Sequence, residues 1–337
     1  SAADASSVAS KILEVLGAAF HLHGNDLHVA ASIGISLYPG DGADAETLMR
    51  NADTAMYFAK DSGRANFQFF TQHMNVAAQQ RLTLENSLRR ALENHEFELH
   101  YQPLHDLGDR SITGVEALIR WNSPEGLVAP GSFIAVAEDS GLIVPIGEWV
   151  LREALQQART WQGEGRPLRM AVNVSANQLS RANFAERLRR LIEETGVDPA
   201  LVELEVTEGV IVEGAGEARE AIDQIAALGV GIAIDDFGTG YSGLAYLKRL
   251  PIDTVKIDQS FVRDLTIDPD DAAIVTAIVA MARSLGVDVI AEGVETEEQV
   301  AELKRLGCYR AQGFLLSRPM TAAALARLLR SGQVTTA

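Results

Sequence analysis

The sequence predicts an α/β protein whose larger part is a TIM-like (β/α)8 barrel with one reversed, antiparallel strand, preceded by a partial α/β segment. From Phe97 onward, eight apolar segments with strand character alternate with segments of helical periodicity over about 235 residues, as in a barrel. The first two strand segments are joined only by "HDLGDR". That connection is too short for a crossover helix, so these two strands should form an antiparallel hairpin.

The predicted barrel elements are identified by apolar runs for strands and by 3.6-residue spacing for helices. The strands, in chain order, are FELHYQPL, SITGVEALIRW, RMAVNVS, LVELEVTE, VGIAIDDF, TVKIDQSF, DVIAEGVE and YRAQGFLL. The helices fall near 147–162, 181–195, 215–228, 271–285, 296–306 and 321–330, with a shorter one near 242–249. The helix near 271 has the clearest start, because Asp268 can cap it and Pro269 suits its first position.

Residues 1–75 are predicted to form part of a separate domain, and residues 76–95 a helical connector to the barrel at 96–333. The amphipathic SSVASKILEVLGAAF precedes a strand-like LHVAASIGISLYP. The next segment, DAETLMRNADTAMYFAKDSG, has helical spacing and ends at Gly63, and NFQFF is typical of a short strand.

Composition excludes several classes of protein. The chain has 337 residues, of which 47% are hydrophobic, so it can bury a substantial core and is not disordered. Cys308 is the only cysteine, which excludes a disulfide framework and a thiolate zinc cluster and favours a small core residue. The net charge of −17 argues against a nucleic-acid polymer as partner. No apolar run is long enough to span a bilayer, and we expect a cytoplasmic protein.

Polar side chains gather where the predicted strands end. In a barrel of this kind the active site is built at the carboxyl ends of the strands. A single acid there is commonly a helix cap or a solvated group, and Asp235 and Asp236 could simply cap the next helix. Five strands supplying oxygen ligands to one rim are better explained by a site. The strand-end residues are Gln102, Glu116, Asn173, Glu205, Asp235, Asp236, Lys256, Glu292 and Gln312.

The strand-end acids predict divalent cations. Carboxylates packed together oppose folding unless a counterion offsets their charge. A set of oxygen ligands without histidine favours Mg²⁺ or Mn²⁺ over Zn²⁺, and six ligands exceed what one Mg²⁺ takes from protein, so we expect two ions. Asp235 and Asp236 should point to different sides of their strand and so reach two positions. Ca²⁺ should also enter such a site but suppress turnover, because it prefers longer bonds.

Seven ordered sequence blocks carry a resemblance to a known family. They are VEALIRW, NVS, ELEVTE, DDFGTGYSGL, LPIDTVKIDQSFV, AEGVE and QGFLLSRPM, spread over roughly residues 80–333. Together they resemble the EAL family of cyclic di-GMP phosphodiesterases, whose fold is a barrel with a reversed first strand. Gly243 stands where serine is common in the family and Phe314 where tyrosine is common.

The resemblance implies a role for each matching residue. It implies two-metal hydrolysis of cyclic di-GMP to linear pGpG, with Glu116, Lys256 and Glu292 as catalytic residues. Lys256 would orient or activate water, although a salt bridge is its simpler role. Glu208 and Glu295 would support the DFGTGYSGL loop, and EAL barrels often pair as homodimers beside that loop. One metal would be bound by Glu116, Asn173, Glu205 and Asp235, the second by Asp235, Asp236 and Glu292, and the substrate by Gln102, Arg120 and Gln312.

The first 75 residues resemble the carboxyl-terminal half of a GGDEF (diguanylate cyclase) domain. SIGISLYPGDG and ADTAMYFAKDSGRANF carry this match, while the Gly-Gly-Asp-Glu-Phe signature is absent from the chain. The resemblance implies upstream GGDEF or sensor regions and no cyclase activity from this fragment. Lys60 and Arg64 match family contacts to a nucleotide triphosphate, or are solvated charges at a helix end. Two other functions stay open for the whole chain: a receptor that binds cyclic di-GMP without cleaving it, and a scaffold without nucleotide affinity.

Overall fold

A computed structural model describes residues 1–18, 20–22, 25–27, 29–63, 65–213, 217–239 and 250–331. The chain divides into two compact units, Ser1–Ser87 and Leu88–Ala337. The described residues include no helix long and apolar enough to cross a membrane.

In its described residues, the first unit contains two small sheets and three helices. Its helices are α1 (Ala2–Gly17), α2 (Ala45–Asp61) and α3 (Gln72–Glu93), the last of which continues into the second unit. Its strands are β1 (Phe20–Leu22), β2 (Asn25–Leu27), β3 (Ile33–Ile35) and β4 (Phe67–Phe69). The β1 and β2 strands pair antiparallel, and β3 and β4 pair parallel.

Helix α2 packs its apolar face into the core of the first unit. Asp44 caps its start by accepting a hydrogen bond from the Thr47 N–H, and Ala55 packs with Phe70 and Met74. The chain leaves the helix through Gly63, whose φ of +95° suits glycine. The strand-like LHVAASIGISLYP is not one continuous strand, because its first residue, Leu27, ends β2 and residues 33–35 form β3.

The second unit is a closed barrel of eight strands among the described residues. Strand β5 pairs antiparallel with β6 on one side and with β13 on the other, and the remaining neighbours are parallel. The predicted hairpin and the reversed first strand are therefore confirmed. The barrel strands are β5 (Phe97–Asp106), β6 (Ile112–Ser123), β8 (Arg169–Asn173), β9 (Val202–Thr207), β10 (Gly231–Phe237), β11 (Thr254–Ile257), β12 (Asp288–Ala291) and β13 (Arg310–Ala311).

Two short strands and ten helices surround the barrel in the described part of this unit. The strands are β7 (Gly126–Val128), which pairs antiparallel with β6, and β14 (Met320–Thr321), which pairs antiparallel with β5. The helices are α4 (Ile134–Asp139), α5 (Ile143–Gly163), α6 (Ala176–Leu179), α7 (Phe184–Thr195), α8 (Glu208–Glu213), α9 (Glu217–Ala227), α10 (Gln259–Arg263), α11 (Pro269–Leu285), α12 (Glu297–Leu306) and α13 (Ala322–Ser331). Single 3-10 turns lie at Pro130–Ser132 and Pro199–Leu201.

The start of α11 is as predicted. Asp268 accepts a hydrogen bond from the Asp270 N–H at 2.8 Å, and Pro269 occupies the first helical position. The predicted helix near 242–249 lies outside the described residues.

The last three barrel strands are shorter than predicted. TVKIDQSF ends as a strand at Ile257, because Asp258 accepts a hydrogen bond from the Ser260 N–H and starts α10. In DVIAEGVE the strand stops before Gly293, which has a φ of +68°. YRAQGFLL forms only β13, since the following chain turns back and hydrogen-bonds to itself at Gly313.

Candidate active site

Lys256 lies at the centre of a buried acidic cluster. Its side chain is 1% exposed, and β11 aims it into the barrel. The Lys256 Nζ lies 2.6 Å from Glu292 Oε1, 2.8 Å from Glu205 Oε2, 3.2 Å from Asp235 Oδ1 and 3.7 Å from Glu116 Oε2. These carboxylates come from β6, β9, β10 and the residue after β12, so the parallel strands bring them together at one end of the barrel.

Two amide side chains hold the carboxylate of Glu116. Asn173 Nδ2 donates to Glu116 Oε1 at 2.6 Å, and Gln312 Nε2 donates to Glu116 Oε2 at 2.7 Å. Gln312 Nε2 also lies 2.9 Å from Glu292 Oε1. With these contacts the structure brings together six of the strand-end residues around one ammonium group.

Asp235 and Asp236 reach the cluster through a break in β10. The pairing of β10 with β11 shifts register between Ile234 and Phe237, and Asp236 has a φ of +53°. Because the regular alternation of side chains fails there, the carboxylates of Asp235, Asp236 and Glu292 each place an oxygen within 4.8 Å of the others. The prediction that the two aspartates point to different sides is therefore wrong.

Burial and mutual repulsion change the protonation of the cluster. Burial alone would raise the pKa of Glu116, but the Lys256 ammonium and the hydrogen bonds from Gln312 and Asn173 outweigh it and lower that pKa. Burial and the charge of Glu116 raise the pKa of Glu205 well above its usual value. Burial also raises the pKa of Glu292 to about 8, although Lys256 opposes the shift.

The pKa values of Lys256 and Asp236 also rise. Burial would lower the pKa of Lys256, but four surrounding carboxylates raise it well above its usual value, so this side chain stays charged. Burial and the neighbouring Asp235 raise the pKa of Asp236 to about 6. Without added cations, a pKa of about 8 leaves Glu292 largely protonated at neutral pH, which is the condition that a bound cation relieves.

The donor set fits a divalent metal ion. The buried oxygens Glu205 Oε1 and Gln312 Oε1 have no hydrogen-bond partner in the described structure, and Asp235 Oδ1 has only the Lys256 ammonium at 3.2 Å. Buried polar atoms are almost always paired, so two unpaired oxygens in one cluster indicate room for a cation. Asp235, Asp236 and Glu292 could hold one ion, as their oxygens are mutually close. Carboxylate and amide oxygens are the ligands that Mg²⁺ and Mn²⁺ prefer.

The other predicted residues lie around this cluster. Gln102 stands opposite Glu116 in the β5–β6 ladder and donates to the Ser317 carbonyl at 3.1 Å. The Arg120 guanidinium donates a hydrogen bond to the backbone carbonyl of Ile119. Burial lowers the pKa of Arg120, although the negative charges of Glu116 and Glu98 oppose this shift.

The two residues predicted to support the loop differ in position. Glu208 begins α8, and its carboxylate accepts a hydrogen bond at 3.1 Å from the N–H of Gly238, two residues after Asp236. Glu295 is exposed, and its backbone N–H donates to Gln299 just before α12. The structure does not bring Glu295 into the cluster. Arg64 and the loop residues 240–249 lie outside the described residues.

Sequence reasoning missed His105 and Ser317, which contact each other beside Gln102. His105 Nε2 lies 3.1 Å from Ser317 Oγ. No pattern reveals this pair, because the residues are 212 positions apart and His105 follows a register shift between β5 and β6. The only signal of this contact in the sequence is a histidine that follows an apolar strand segment.

Comparison with known families assigns the barrel. The EAL domain profile matches residues 85–319, which is most of the chain. The chain belongs to the EAL domain family. The profile of the GGDEF domain, the diguanylate cyclase family, matches residues 1–66, so the amino-terminal segment is a partial GGDEF domain.

Several curated proteins are similar over nearly the whole chain. MucR of Pseudomonas aeruginosa, a bifunctional diguanylate cyclase/cyclic di-GMP phosphodiesterase, is 48% identical over 95% of this chain and 47% of its own length. The cyclic di-GMP phosphodiesterase PdeR of Escherichia coli is 42% identical over 95% of this chain and 49% of its own. The chain thus spans about half the length of these relatives.

Solved structures share the barrel. The phosphodiesterase of Pseudomonas aeruginosa MucR in complex with c-di-GMP has a TM-score of 0.70 and 49% identity, covering 72% of this chain and 99% of that one. The EAL domain of FimX from the same organism, bound to c-di-GMP, has a TM-score of 0.65 and 25% identity, covering 70% of this chain and 96% of that one.

Proposed function

We propose that this chain is a metal-dependent phosphodiesterase that hydrolyses cyclic di-GMP to linear pGpG. The observation that carries the proposal is the Lys256-centred cluster at one end of an EAL barrel, in which Glu205 Oε1 remains unpaired among buried carboxylates. Relatives of similar sequence are named as cyclic di-GMP phosphodiesterases, which supports the same substrate here. The domain limits that we propose are 1–75 for the partial GGDEF domain, 76–95 for the connector and 96–333 for the barrel.

The metal ligands are proposed in two sets. Glu116, Asn173, Glu205 and Asp235 would hold one ion, and Asp235, Asp236 and Glu292 the other, with Mg²⁺ or Mn²⁺ as the ions. Two bound divalent cations would supply charge to neutralise the phosphate and acidity to activate water.

The protein's own groups prepare the reaction. Lys256 keeps four carboxylates together against their repulsion, which holds the proposed metal ligands in place. One N–H of the Arg120 guanidinium donates to the Ile119 carbonyl, so its other N–H groups can still bind a phosphate oxygen. Gln102 and Gln312 present amide groups at the same end of the barrel.

The second candidate is a receptor that binds cyclic di-GMP without cleaving it. FimX provides the specific observation in its favour, because that EAL domain was solved with c-di-GMP bound and is 25% identical. The complete acidic set of this chain favours catalysis over binding alone. We also propose a homodimer and additional GGDEF or sensor sequence in the full-length protein, as the relatives are about twice as long.

A metal-dependence assay on cyclic di-GMP tests the proposal. The purified chain is incubated with cyclic di-GMP and Mg²⁺ or Mn²⁺, or with EDTA, and the products are separated by chromatography. We expect pGpG with either metal and none with EDTA. Binding of cyclic di-GMP without any product supports the receptor, and no binding at all supports a scaffold.

The Glu116→Ala variant provides the matched control. Glu116 is buried and accepts two amide hydrogen bonds, so its loss should abolish turnover by removing a metal ligand. Lys256 keeps its three other carboxylate partners when Glu116 is removed, so the variant should remain folded, which its melting temperature checks. Activity within about threefold of wild type in Mg²⁺ would refute the assignment of Glu116.

A further inference from the structure

The chain that follows Gln312 is fastened to the reversed strand β5 through Ser317. The Ser317 carbonyl oxygen accepts a hydrogen bond from Gln102 Nε2 at 3.1 Å, and its hydroxyl oxygen lies 3.1 Å from His105 Nε2. His105 is 1% exposed and Ser317 is 8% exposed. Two side chains of one strand thus hold a single residue of a distant segment.

The double contact lies beside a β-bulge. Gln102 and His105 are three residues apart, so a regular strand would direct them to opposite faces. The pairing of β5 with β6 shifts register between Leu104 and His105, because Leu104 faces Gly114 and His105 faces Ile112. The extra residue of this bulge is therefore Thr113 in β6, and the regular ladder ends where His105 meets Ser317.

The hydrogen-bond roles follow from the environment of His105. Its Nδ1 lies 3.0 Å from the carbonyl oxygen of Arg110, which can only accept, so Nδ1 carries the hydrogen. Burial lowers the pKa of His105, and in the neutral ring Nε2 accepts the hydroxyl hydrogen of Ser317. The Ser317 Oγ also lies 2.6 Å from the Leu316 carbonyl, so its hydrogen is shared between two acceptors.

Gln102 is the side chain that this arrangement orients. Its Nε2 group is held by the Ser317 carbonyl, and an amide held at one end has a fixed direction. In the described part of the chain, no hydrogen bond uses Gln102 Oε1, which leaves that oxygen for a ligand. Gln102 lies directly opposite Glu116, at the level of the acidic cluster.

We propose that His105 and Ser317 are positioning residues that hold the Gln102 amide in its substrate-binding orientation. The inference rests on the proposed function, in which Gln102 contacts cyclic di-GMP. Neither residue touches the acidic cluster through any contact in the described structure, so both act on substrate binding through Gln102.

Paired substitutions separate positioning from general stability. The shorter amide in His105→Asn can still reach the Arg110 carbonyl but not Ser317, whereas the longer amide in His105→Gln can reach Ser317. We expect His105→Asn to raise KM for cyclic di-GMP by about fivefold with kcat nearly unchanged. His105→Gln should restore most of the wild-type KM. Ser317→Ala should reproduce the loss, and Ser317→Thr, which keeps a hydroxyl, should rescue it.

A double-mutant cycle with Gln102 tests whether His105 affects KM through the Gln102 amide. In a Gln102→Ala background, adding His105→Asn should leave KM unchanged, because the amide that it positions is gone. Ser284→Ala, which removes a comparable hydroxyl bond within α11, is the control and should keep wild-type kinetics. If His105→Asn does not fold, Ser317→Ala, which keeps His105, replaces it in the double-mutant cycle with Gln102→Ala.

The outcomes distinguish this inference from the proposed function. Wild-type protein that does not hydrolyse cyclic di-GMP overturns the proposed function, and the positioning role with it. If the wild-type protein hydrolyses cyclic di-GMP but His105→Asn raises KM as much in the Gln102→Ala background as in the wild type, the positioning role alone is overturned. An unchanged KM in folded His105→Asn and Ser317→Ala overturns it as well.

Discussion

The Lys256 ammonium is surrounded by four carboxylates in a place that water does not reach. Its Nζ lies within 3.7 Å of an oxygen of each one, and its side chain is 1% exposed. In such surroundings a charge that loses its partner is much more costly than on the surface, because solvent no longer screens it. Lys256 therefore stabilises the fold as well as the site.

Replacing Lys256 with methionine should destabilise the metal-free protein by about 3–5 kcal/mol, the usual loss when one partner of a buried ion pair is removed. Mg²⁺ should restore part of this loss by supplying the missing positive charge. Urea unfolding in EDTA and in Mg²⁺ measures both effects. Lys304→Met, at an exposed position near the end of α12, is the control and should change stability by less than about 0.5 kcal/mol. A loss for Lys256→Met as small as the control would contradict this account.

Cys308 is buried, and burial raises the pKa of its thiol to about 12. At pH 8 the folded protein should therefore contain almost no thiolate, while an unfolded cysteine, with a pKa of about 8.5, is partly ionised. We expect no reaction of the native protein with a disulfide reagent over minutes and one reacting thiol per chain in denaturant. Raising the pH should accelerate labelling only where the protein unfolds. Rapid labelling of the native protein at pH 8 would show that Cys308 is accessible.

At the scale of elements, the end of β10 determines how the acids meet. The strand gives up its regular pairing after Ile234, Asp236 takes a φ of +53°, and the chain then passes through Gly238 at a φ of +101°. A Cβ on Gly238 would lie 2.9 Å from the ring of Phe261, so glycine is required there for space as well as for conformation. Glu208, from the start of α8, accepts the Gly238 N–H and so ties α8 to this turn.

Glu208→Ala should lower turnover strongly and weaken binding of the second metal, although Glu208 is not a ligand. The reason is its hydrogen bond to Gly238, two residues after Asp236, which holds the turn that carries both aspartates. Glu208→Gln keeps an acceptor oxygen and should retain most of the activity, which makes it the matched control. Metal stoichiometry, Mg²⁺ dependence and melting temperature are measured on each variant. Normal turnover with two bound ions in Glu208→Ala, and only about 1 kcal/mol of lost stability, would leave Glu208 as a helix cap.

The elements differ in how far the sequence predicts them. The hairpin and the order of the barrel strands follow from apolar runs and from one short connection, which are local properties. The bulges in β6 and β10 do not, because a single extra residue leaves no mark on hydrophobic periodicity. The sequence therefore places Glu205, Asp235 and Glu292 correctly near strand ends, whereas Glu116 lies within β6 rather than at its end. The direction of Asp236 and the contact of His105 with Ser317 do not follow from the sequence.

At the scale of the whole molecule, the charge of the protein opposes the charge of the proposed substrate. The chain carries a formal charge of −17, and a cyclic dinucleotide is also an anion. Long-range attraction cannot bring the two together, so local cations must offset the field at the mouth of the barrel. Among the described residues, Arg120 and Lys256 are beside the cluster, and Lys256 is already surrounded by acids. We therefore expect bound divalent cations to be needed for substrate binding as well as for the proposed chemistry.

Ca²⁺ should therefore separate binding from turnover. The proposed ligands are all oxygens, so Ca²⁺ should enter, neutralise the acids and raise the melting temperature as Mg²⁺ does. It should also allow cyclic di-GMP to bind, because the local negative charge is offset. Turnover should nevertheless be largely lost, since Ca²⁺ takes longer bonds, of about 2.3–2.6 Å, and looser geometry than Mg²⁺, so the attacking water is displaced.

Calorimetry with cyclic di-GMP in Ca²⁺, thermal melting in each metal and chromatography of products test this separation on one preparation. EDTA-treated protein gives the baseline, and Mg²⁺ added in excess over Ca²⁺ should recover hydrolysis. Because the same oxygens hold either ion, Asp236→Asn should weaken the thermal shift from both metals rather than from one. Equal rates in Ca²⁺ and Mg²⁺ would mean that bond length does not control the water. A Ca²⁺ thermal shift without nucleotide binding would mean that charge neutralisation alone does not open the site to the substrate.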